Sequence, residues 1–362
     1  MSVHANRAVA RTALAVLCAL APLATGCAQP STSPIVALRT QHGWEDLHLT
    51  KSLATTQALA AFGGTLYAAG EFWDVAGWPH ATFVSWNGAL WSLAGAQPNA
   101  RVDALAAYAG RLYAGGAFTQ ASFDTLRYIG AWDGSAWHAV GGGMDWDVLA
   151  LSPYGDKLAA AGVFGHAGAV PALHVAVWDG AAWHALGAGL DDVVWALAEY
   201  HGELIAGGSF LNAGGSPAQY IAGWNGSTWH ALGTASDLNG TVRALYVLHD
   251  TLFAGGQFTT AAGVPAMHVA CWNGVRWDSV GAGLGRYPDE PVLSFVADHD
   301  RLVAGGAFTG GAAEWSAGSW TPKGFLSGEV DALAVSGMRL YAGGGFVPAP
   351  GLPQNGVTRW VE

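Results

Sequence analysis

Charge is scarce in this chain. Only 11% of its 362 residues are Asp, Glu, Lys or Arg, against roughly 25% in an ordinary soluble domain. Lysine occurs three times and the formal net charge is −11. A non-specific nucleic-acid binder needs a basic surface, so that class is excluded. Cysteine also occurs only three times, and two of the three fall in the first 27 residues, so no intramolecular disulfide framework exists. Beyond those residues no apolar stretch approaches the roughly 20 residues of a membrane-spanning helix. There is no His-Glu-x-x-His, no phosphate loop and no Gly-x-Ser-x-Gly nucleophile elbow. What the chain has in quantity is apolar surface: 51% hydrophobic residues, with 52 Gly and 18 Trp. That content excludes a disordered chain.

Residues 1–27 read as an export signal. Arg7 and Arg11 form its positive region, and Thr12–Ala24 is an apolar run too short to span a bilayer. The run ends in Leu23-Ala24-Thr25-Gly26-Cys27. This resembles the lipobox of bacterial lipoproteins, with Leu one place earlier than usual. The resemblance implies lipidation of Cys27 and a protein held in the cell envelope, in the outer membrane or at the surface. The alternative is ordinary cleavage after Ala28. Residues 28–38 then read as a flexible tether, and residues 39–362 as one domain. The membrane is expected to be touched only through the lipid.

One phrase recurs through that domain: Leu-Tyr-Ala-Gly-Gly-x-Phe. Its Phe falls at Phe72, Phe118, Phe164, Phe210, Phe258, Phe308 and Phe346, with four of six intervals between 46 and 48 residues. A second phrase, Trp-Asn/Asp-Gly-x-x-Trp, follows at Trp86–Trp91, Trp132–Trp137, Trp178–Trp183, Trp224–Trp229 and Trp272–Trp277, and in degraded form at Trp315–Trp320. Each unit reads as four strands. Val-x-Ala-Leu is strand A, Leu-Tyr-Ala-Gly-Gly strand B, Ile-Ala-x-Trp strand C and Trp-His-Ala-Leu-Gly strand D. The Asn-Gly or Asp-Gly between C and D predicts a type I′ turn, whose two central residues need positive φ. The paired glycines predict strand crowding or a bulge.

Seven such units predict an all-β fold, a seven-bladed β-propeller of four-stranded antiparallel blades. The last unit stops at Trp360 without a strand D, while Trp44-Glu45-Asp46-Leu47 is an orphan strand D. The N-terminal strand is therefore expected to complete the last blade, shared by 39–50 and 329–362. Closure removes the sheet edges that invite aggregation. Leu112-Tyr113-Ala114-Gly115-Gly116 followed by Trp132 and Trp137 is similar to the kelch repeat, the type found in the central domain of galactose oxidase. Trp stands where kelch repeats usually carry Tyr. The resemblance covers residues 40–362 and implies the propeller fold; kelch-type propellers serve many unrelated functions.

The residues capable of chemistry are mostly bound to the repeat. A galactose-oxidase-like copper site needs a Cys joined to a Tyr, and only Cys271 is available, in strand C, where packing is the simpler role. His138, His184 and His230 follow the second Trp of their units, and His174 and His268 stand four residues before the first. Equivalent positions in different blades are spread around a ring, so these histidines converge on a metal only if they point into the channel. No metal and no cofactor is expected. Asp133 and Asp179 are turn residues, and Asp191-Asp192 and Asp289-Glu290 lie in loops.

Departures from the repeat are where function has room. Fourteen of the 18 Trp occupy the two repeat positions. The other four are Trp73 and Trp78 between strands B and C of the first unit, Trp146 in a D–A connection, and Trp195 at the variable position of Val-x-Ala-Leu. The B–C and D–A loops emerge on one face, so all four are expected there or on the channel wall beneath it. The variable position reads Gln57, Asp103, Leu149, Trp195, Arg243, Leu293 and Asp331 around the ring. Phe308 is seven residues from Trp315, where the other units have 14, and the preceding connection is enlarged by Arg286 and Tyr287. A short loop beside a long one predicts a notch.

These features lead to a non-catalytic, envelope-anchored monomer that binds a protein or a polysaccharide through its loop face. Its binding residues would be Trp73, Trp78, Trp146, Trp195, Arg243, Arg286, Tyr287, Asp103 and Asp331. The alternative is a carbohydrate hydrolase or lyase using Asp103 and Asp331, which requires the two carboxyls to face each other across roughly 5–10 Å.

Overall fold

A computed structural model describes residues 43–49, 54–75, 77–234, 236–347 and 356–362. The leader, Cys27 and the tether lie outside the described residues. Seven four-stranded antiparallel sheets follow one another, and no helix occurs among the described residues. Blade 2 is representative, with strand A at Val102–Tyr108, B at Arg111–Gly116, C at Ile129–Trp132 and D at Trp137–Ala139. Every inner strand A packs on strand A of the next blade, and that of blade 7 (Ser327–Ser336) packs on that of blade 1 (Ala54–Phe62). The chain is therefore a closed seven-bladed β-propeller. Gly43–Asp46 pairs with Val357–Val361, Trp44 opposite Trp360, so the N-terminal strand supplies strand D of blade 7.

The two repeat tryptophans hold neighbouring blades together. They face each other across the C–D hairpin, with ring centroids 5.2–5.6 Å apart in the first six blades and 5.3 Å for Trp44 and Trp360. The second Trp of each pair donates its indole N–H to a main-chain carbonyl just past strand D of the preceding blade. Trp137 reaches Ala96 at 2.7 Å, Trp229 reaches Leu186 at 2.7 Å and Trp277 reaches Leu232 at 2.9 Å. Trp183 and Trp320 do the same to Val140 and Val280. The bond continues across the closure: Trp44 donates to Lys323, and Trp91 donates to Leu47 at 3.2 Å. Between these clamps each seam is filled by the repeat Phe; six of the seven are wholly inaccessible to solvent and Phe308 nearly so.

The turns differ from the type I′ expectation. Trp132 pairs directly with Trp137, so four residues intervene between C and D, and only the glycine of Asp133-Gly134 has positive φ. The aspartate instead accepts main-chain N–H bonds from Ser135 and Ala136 at 2.8 and 2.9 Å, which closes the loop through its side chain. Two-residue turns with both φ positive occur between strands A and B, as at Ala109-Gly110 and His201-Gly202, and between C and D only at Ala317-Gly318, in the unit that lacks Asn-Gly.

Trp229→Phe leaves the buried Leu186 carbonyl without its donor and should destabilise the fold by about 1–3 kcal/mol. Trp132 has a buried indole N–H with no partner, so Trp132→Phe removes similar ring surface without breaking a bond. Chemical denaturation of the two variants should rank Trp229→Phe as clearly the less stable.

Candidate functional site

Each strand A carries a β-bulge, and the bulge falls on the variable position in all seven blades: Gln57, Asp103, Leu149, Trp195, Arg243, Leu293 and Asp331. The second glycine of strand B makes room for it. A Cβ at Gly162 would stand 2.1 Å from the Asp147 carbonyl oxygen, beside the bulge at Leu149. The first glycine serves the seam: a Cβ at Gly115 would stand 2.5 Å from Val148 of the next blade. An extra residue in the strand is freed from the ladder, which leaves its side chain unconstrained by the repeat.

Strand A residues of all seven blades line a central channel of about 260 Å³, among them the bulge residues Leu149, Leu293 and Asp331. Its side chains are mostly the Ala and Leu of strand A, with Ser294 and Phe295 in their places in blade 6 and Asp331 at blade 7. The mouth is polar and uneven. Arg101 holds Asp103 at 2.5 Å and approaches Asp147 at 3.8 Å. Burial nonetheless pushes the Asp103 carboxyl above its ordinary value, against the pull of Arg101. The Arg243 guanidinium lies 4.0 Å over the Trp195 ring, whose Nε1 donates to Ser209 Oγ at 3.1 Å. Burial lowers the pKa of Arg243, opposed by Glu329 and Asp331. Burial also pushes Asp331 up to about 7, helped by Glu329 and opposed by Arg243. Asp103 and Asp331 stand on blades 2 and 7, Asp103 beside Arg101 and Asp331 in the field of Arg243. Among the described residues Gln57 Oε1, Asp103 Oδ2 and Ser294 Oγ are buried without a hydrogen-bond partner.

Above the mouth the loop face is a built layer. In blades 2 to 5 the B–C connection folds into a small hairpin, such as His166–Ala167 with Val170–Pro171. An Asn or Asp of the D–A connection pins it. Asp145 accepts from Gly165 and His166 N–H at 2.8 and 2.9 Å, and Asp191 accepts from Leu211 and Asn212 at 2.9 Å. Asp191 is thus a structural clamp. Blade 6 has no such hairpin: Gly306 and Ala312 are joined by a short turn, while the preceding connection holds Arg286 and Tyr287. That loop is fixed by buried His268, whose Nδ1 lies 2.9 Å from the Gly256 carbonyl and whose Nε2 lies 2.8 Å from that of Tyr287.

All six exposed aromatic side chains among the described residues lie on this face: Trp73, Trp78, Phe123, Trp146, Tyr287 and Phe325. Trp73 pairs across the long B–C hairpin of blade 1 with His80, their rings 4.7 Å apart, and Trp78 pairs with Val75. Trp195 differs from the other three departures, being half-buried under Arg243. Phe123 and Phe325 escaped the reading of the sequence, which singled out the departing tryptophans and Tyr287; an aromatic at the tip of a connection was their signal. The strand D histidines pair locally, His138 with Asp133 and His184 with Asp179 at 2.6 Å, and His230 with Glu203 at 2.9 Å. Cys271 is half-buried and its thiol is pushed up by burial. Larger clefts of 330–490 Å³ recur between neighbouring blades near the C–D turns; their repetition ties them to the seams.

No protein-family model matches this chain, and no curated protein is significantly similar. Solved structures share its fold. The computationally designed protein Ika8 is 15% identical, covering 87% of this chain and 99% of its own, with a TM-score of 0.52. The WD40 β-propeller domain of Doa1 is 13% identical, covering 88% and 96%, with a TM-score of 0.56. The extracellular domain of BT4673 from B. thetaiotaomicron is 10% identical with a TM-score of 0.61; 88% of this chain matches 40% of that one.

Asp331 ionises near pH 4 in the unfolded chain and near pH 7 in the fold. A raised acid pKa destabilises the fold increasingly as pH climbs through that window and by a constant amount above it. Asp331→Asn should therefore raise the melting temperature at pH 8 and leave it near wild type at pH 4. An equal shift at both values would show that the carboxyl ionises normally.

Proposed function

We propose that this protein is a non-catalytic binding scaffold, exported and held in the cell envelope by a lipid on Cys27, that takes a polysaccharide or protein on its B–C and D–A loop face. The observation that carries this reading is the placement of every exposed aromatic side chain on one face of the ring. Exposed rings are costly to leave in water, and flat aromatic surfaces are the usual anchors of both glycan and protein recognition. The loop that presents Phe123 is pinned by Asn99 of the D–A connection, and that of Tyr287 by His268, so little ordering entropy is lost on binding there. The kelch-like order of Gly-Gly and Trp supports a scaffold in the same general sense. Arg286 and Tyr287 beside the shortened loop of blade 6 offer a polar and an aromatic contact at the rim.

Joint replacement of Trp73, Trp78 and Trp146 by Ala should leave the melting temperature almost unchanged. It should weaken retention on immobilised envelope polysaccharide or protein extract at least tenfold, equivalent to ~1.4 kcal/mol. Undiminished retention would remove this face from the reading. Cys27→Ser should move the protein from the membrane fraction to the soluble exported fraction, and a variant that stayed membrane-bound would refute the lipid anchor.

A further inference from the structure

We infer that the folded chain modifies itself at three of its C–D loops: Asn87, Asn225 and Asn273 close on the glycine that follows, lose ammonia and become aspartate or isoaspartate. The inference does not depend on the binding-scaffold reading. The sequence holds five Asn-Gly pairs, and glycine, without a side chain, obstructs such a closure least. Asn355 lies outside the described residues. The other four fall into two environments. Three occupy the C–D loops of blades 1, 4 and 5, with exposed side chains. In each, Oδ1 accepts the main-chain N–H of the residues two and three places on. These are Ala89 and Leu90 for Asn87, both at 2.9 Å, and Ser227 and Thr228 for Asn225, at 3.0 and 2.9 Å. For Asn273 they are Val275 and Arg276, both at 3.0 Å. The bonds fold the side chain back over the following peptide, so Cγ and the glycine nitrogen belong to one hydrogen-bonded ring.

Closure is a bond made across that ring. The glycine nitrogen gives its proton to solvent base and attacks Cγ. Negative charge gathers on Oδ1, where two N–H donors already point. The Cγ–Nδ2 bond breaks, and Nδ2 takes a proton from solvent and leaves as ammonia. Water then opens the succinimide at either carbonyl, giving aspartate or isoaspartate. The glycine N–H donates to no group among the described residues. Even an added Cβ would meet nothing within 4 Å at Gly88 and Gly226, and only the Tyr200 hydroxyl, at 3.6 Å, at Gly274.

Asn239-Gly240 is the same dipeptide held differently. Asn239 Oδ1 accepts from Thr259 and Thr260 N–H at 2.8 and 2.9 Å, and its Nδ2 donates to Thr259 Oγ1 at 3.0 Å. All three bonds reach the B–C hairpin of blade 5, and none the peptide that follows. Gly240 also backs onto the Gln257 carbonyl, where a Cβ would stand 2.5 Å away. This side chain must leave its hairpin before it can close. Asp133-Gly134 and Asp179-Gly180 give a second contrast. They build the same loop as the three asparagines, but an ionised carboxylate is a poor electrophile. His138 and local N–H and hydroxyl donors hold Asp133 well below the usual carboxylate range, and main-chain N–H groups with His184 do the same to Asp179. These two blades also show that aspartate serves the loop. Isoaspartate, which routes the main chain through Cβ, does not.

The test is ageing of the intact folded chain in mildly alkaline buffer, with a parallel sample in denaturant. Peptide mapping by mass spectrometry follows each amide-to-acid exchange, and enzymatic methylation labels isoaspartate. In the fold, the peptides holding Asn87, Asn225 and Asn273 should convert at least tenfold faster than the one holding Asn239. In denaturant the four rates should lie within a few-fold of one another, since only the fold separates them. The three loop rates should rise with pH, because the glycine nitrogen must lose its proton to attack. Asp133 and Asp179 should yield no isoaspartate in the fold. Conversion of Asn239 as fast as the three, or three loops that stay unconverted in the fold while the denatured chain converts, would overturn the inference.

Discussion

The ring depends on one hydrogen bond made seven times. A buried indole is a large apolar body with a single donor that gains by finding an acceptor. In every blade the second repeat Trp finds it in a carbonyl of the blade before, just beyond strand D. Because the acceptor is main chain, the bond fixes the position of one sheet relative to the next. It also explains the Gly that ends strand D. At Gly141 a Cβ would stand 2.3 Å from the first Trp of the following blade, so the chain turns there with positive φ and the two indoles seat against it. The bond from Trp44 to Lys323 is the same interaction made between the two ends of the chain. Closure is therefore one more instance of the repeat.

With the outer seams fixed in this way, the inner strands can carry an irregularity. Each strand A has one residue too many for its partner, accommodated because strand B opposes it with a glycine. The bulge releases one side chain per blade from packing, at the entrance of the channel. A position free in seven copies can vary, and it does: amide, carboxylate, leucine, indole and guanidinium, five residue types in seven places, stand around a rim whose wall below is mostly Ala and Leu. The stable part of the blade and its variable part are thus adjacent in sequence and separate in physical role.

This separation accounts for what the sequence made legible. The spacing of Phe118, Trp132 and Trp137 repeats because each side chain packs the same seam, so unit number, strand order and closure could be read from residue type alone. The variable position was legible as a column of unlike residues, and the paired glycines signalled crowding or a bulge; that the bulge falls on the variable position of strand A was not legible, because no residue type there marks the extra residue. The turn chemistry was misassigned for a related reason. Asn-Gly suits a two-residue turn, yet here the Asx side chain closes a four-residue loop, and the two-residue turns use His-Gly, His-Asp and Ala-Gly pairs that carry no such signature. The contact of Arg243 with Trp195 joins two blades through side chains 48 residues apart, a pairing that no local pattern encodes.

Blade 6 shows how far the unit bends before the seam gives way. It lacks the Asn-Gly, its B–C hairpin and seven residues of spacing, yet Trp320 still donates to Val280 at 3.0 Å. Its strand D leads into Lys323, nine-tenths buried between Asp298 at 3.3 Å and Glu314 at 2.8 Å, with Arg301 on the far side of Glu314. Burying three charges costs desolvation that their attraction only partly offsets, so this network is a poor source of stability. It does place a cation 5.0 Å from the Trp360 ring and fixes the carbonyl that receives the Trp44 indole. This blade, which lacks the hairpin of blades 2 to 5, thus keeps its seam to blade 7 through an ion cluster. The space the hairpin vacated lies beside Tyr287, on the face where the exposed rings gather. Structure is maintained on the outer side of this blade while its loop side is cleared, as expected of a ring whose seams serve folding and whose loop face serves recognition.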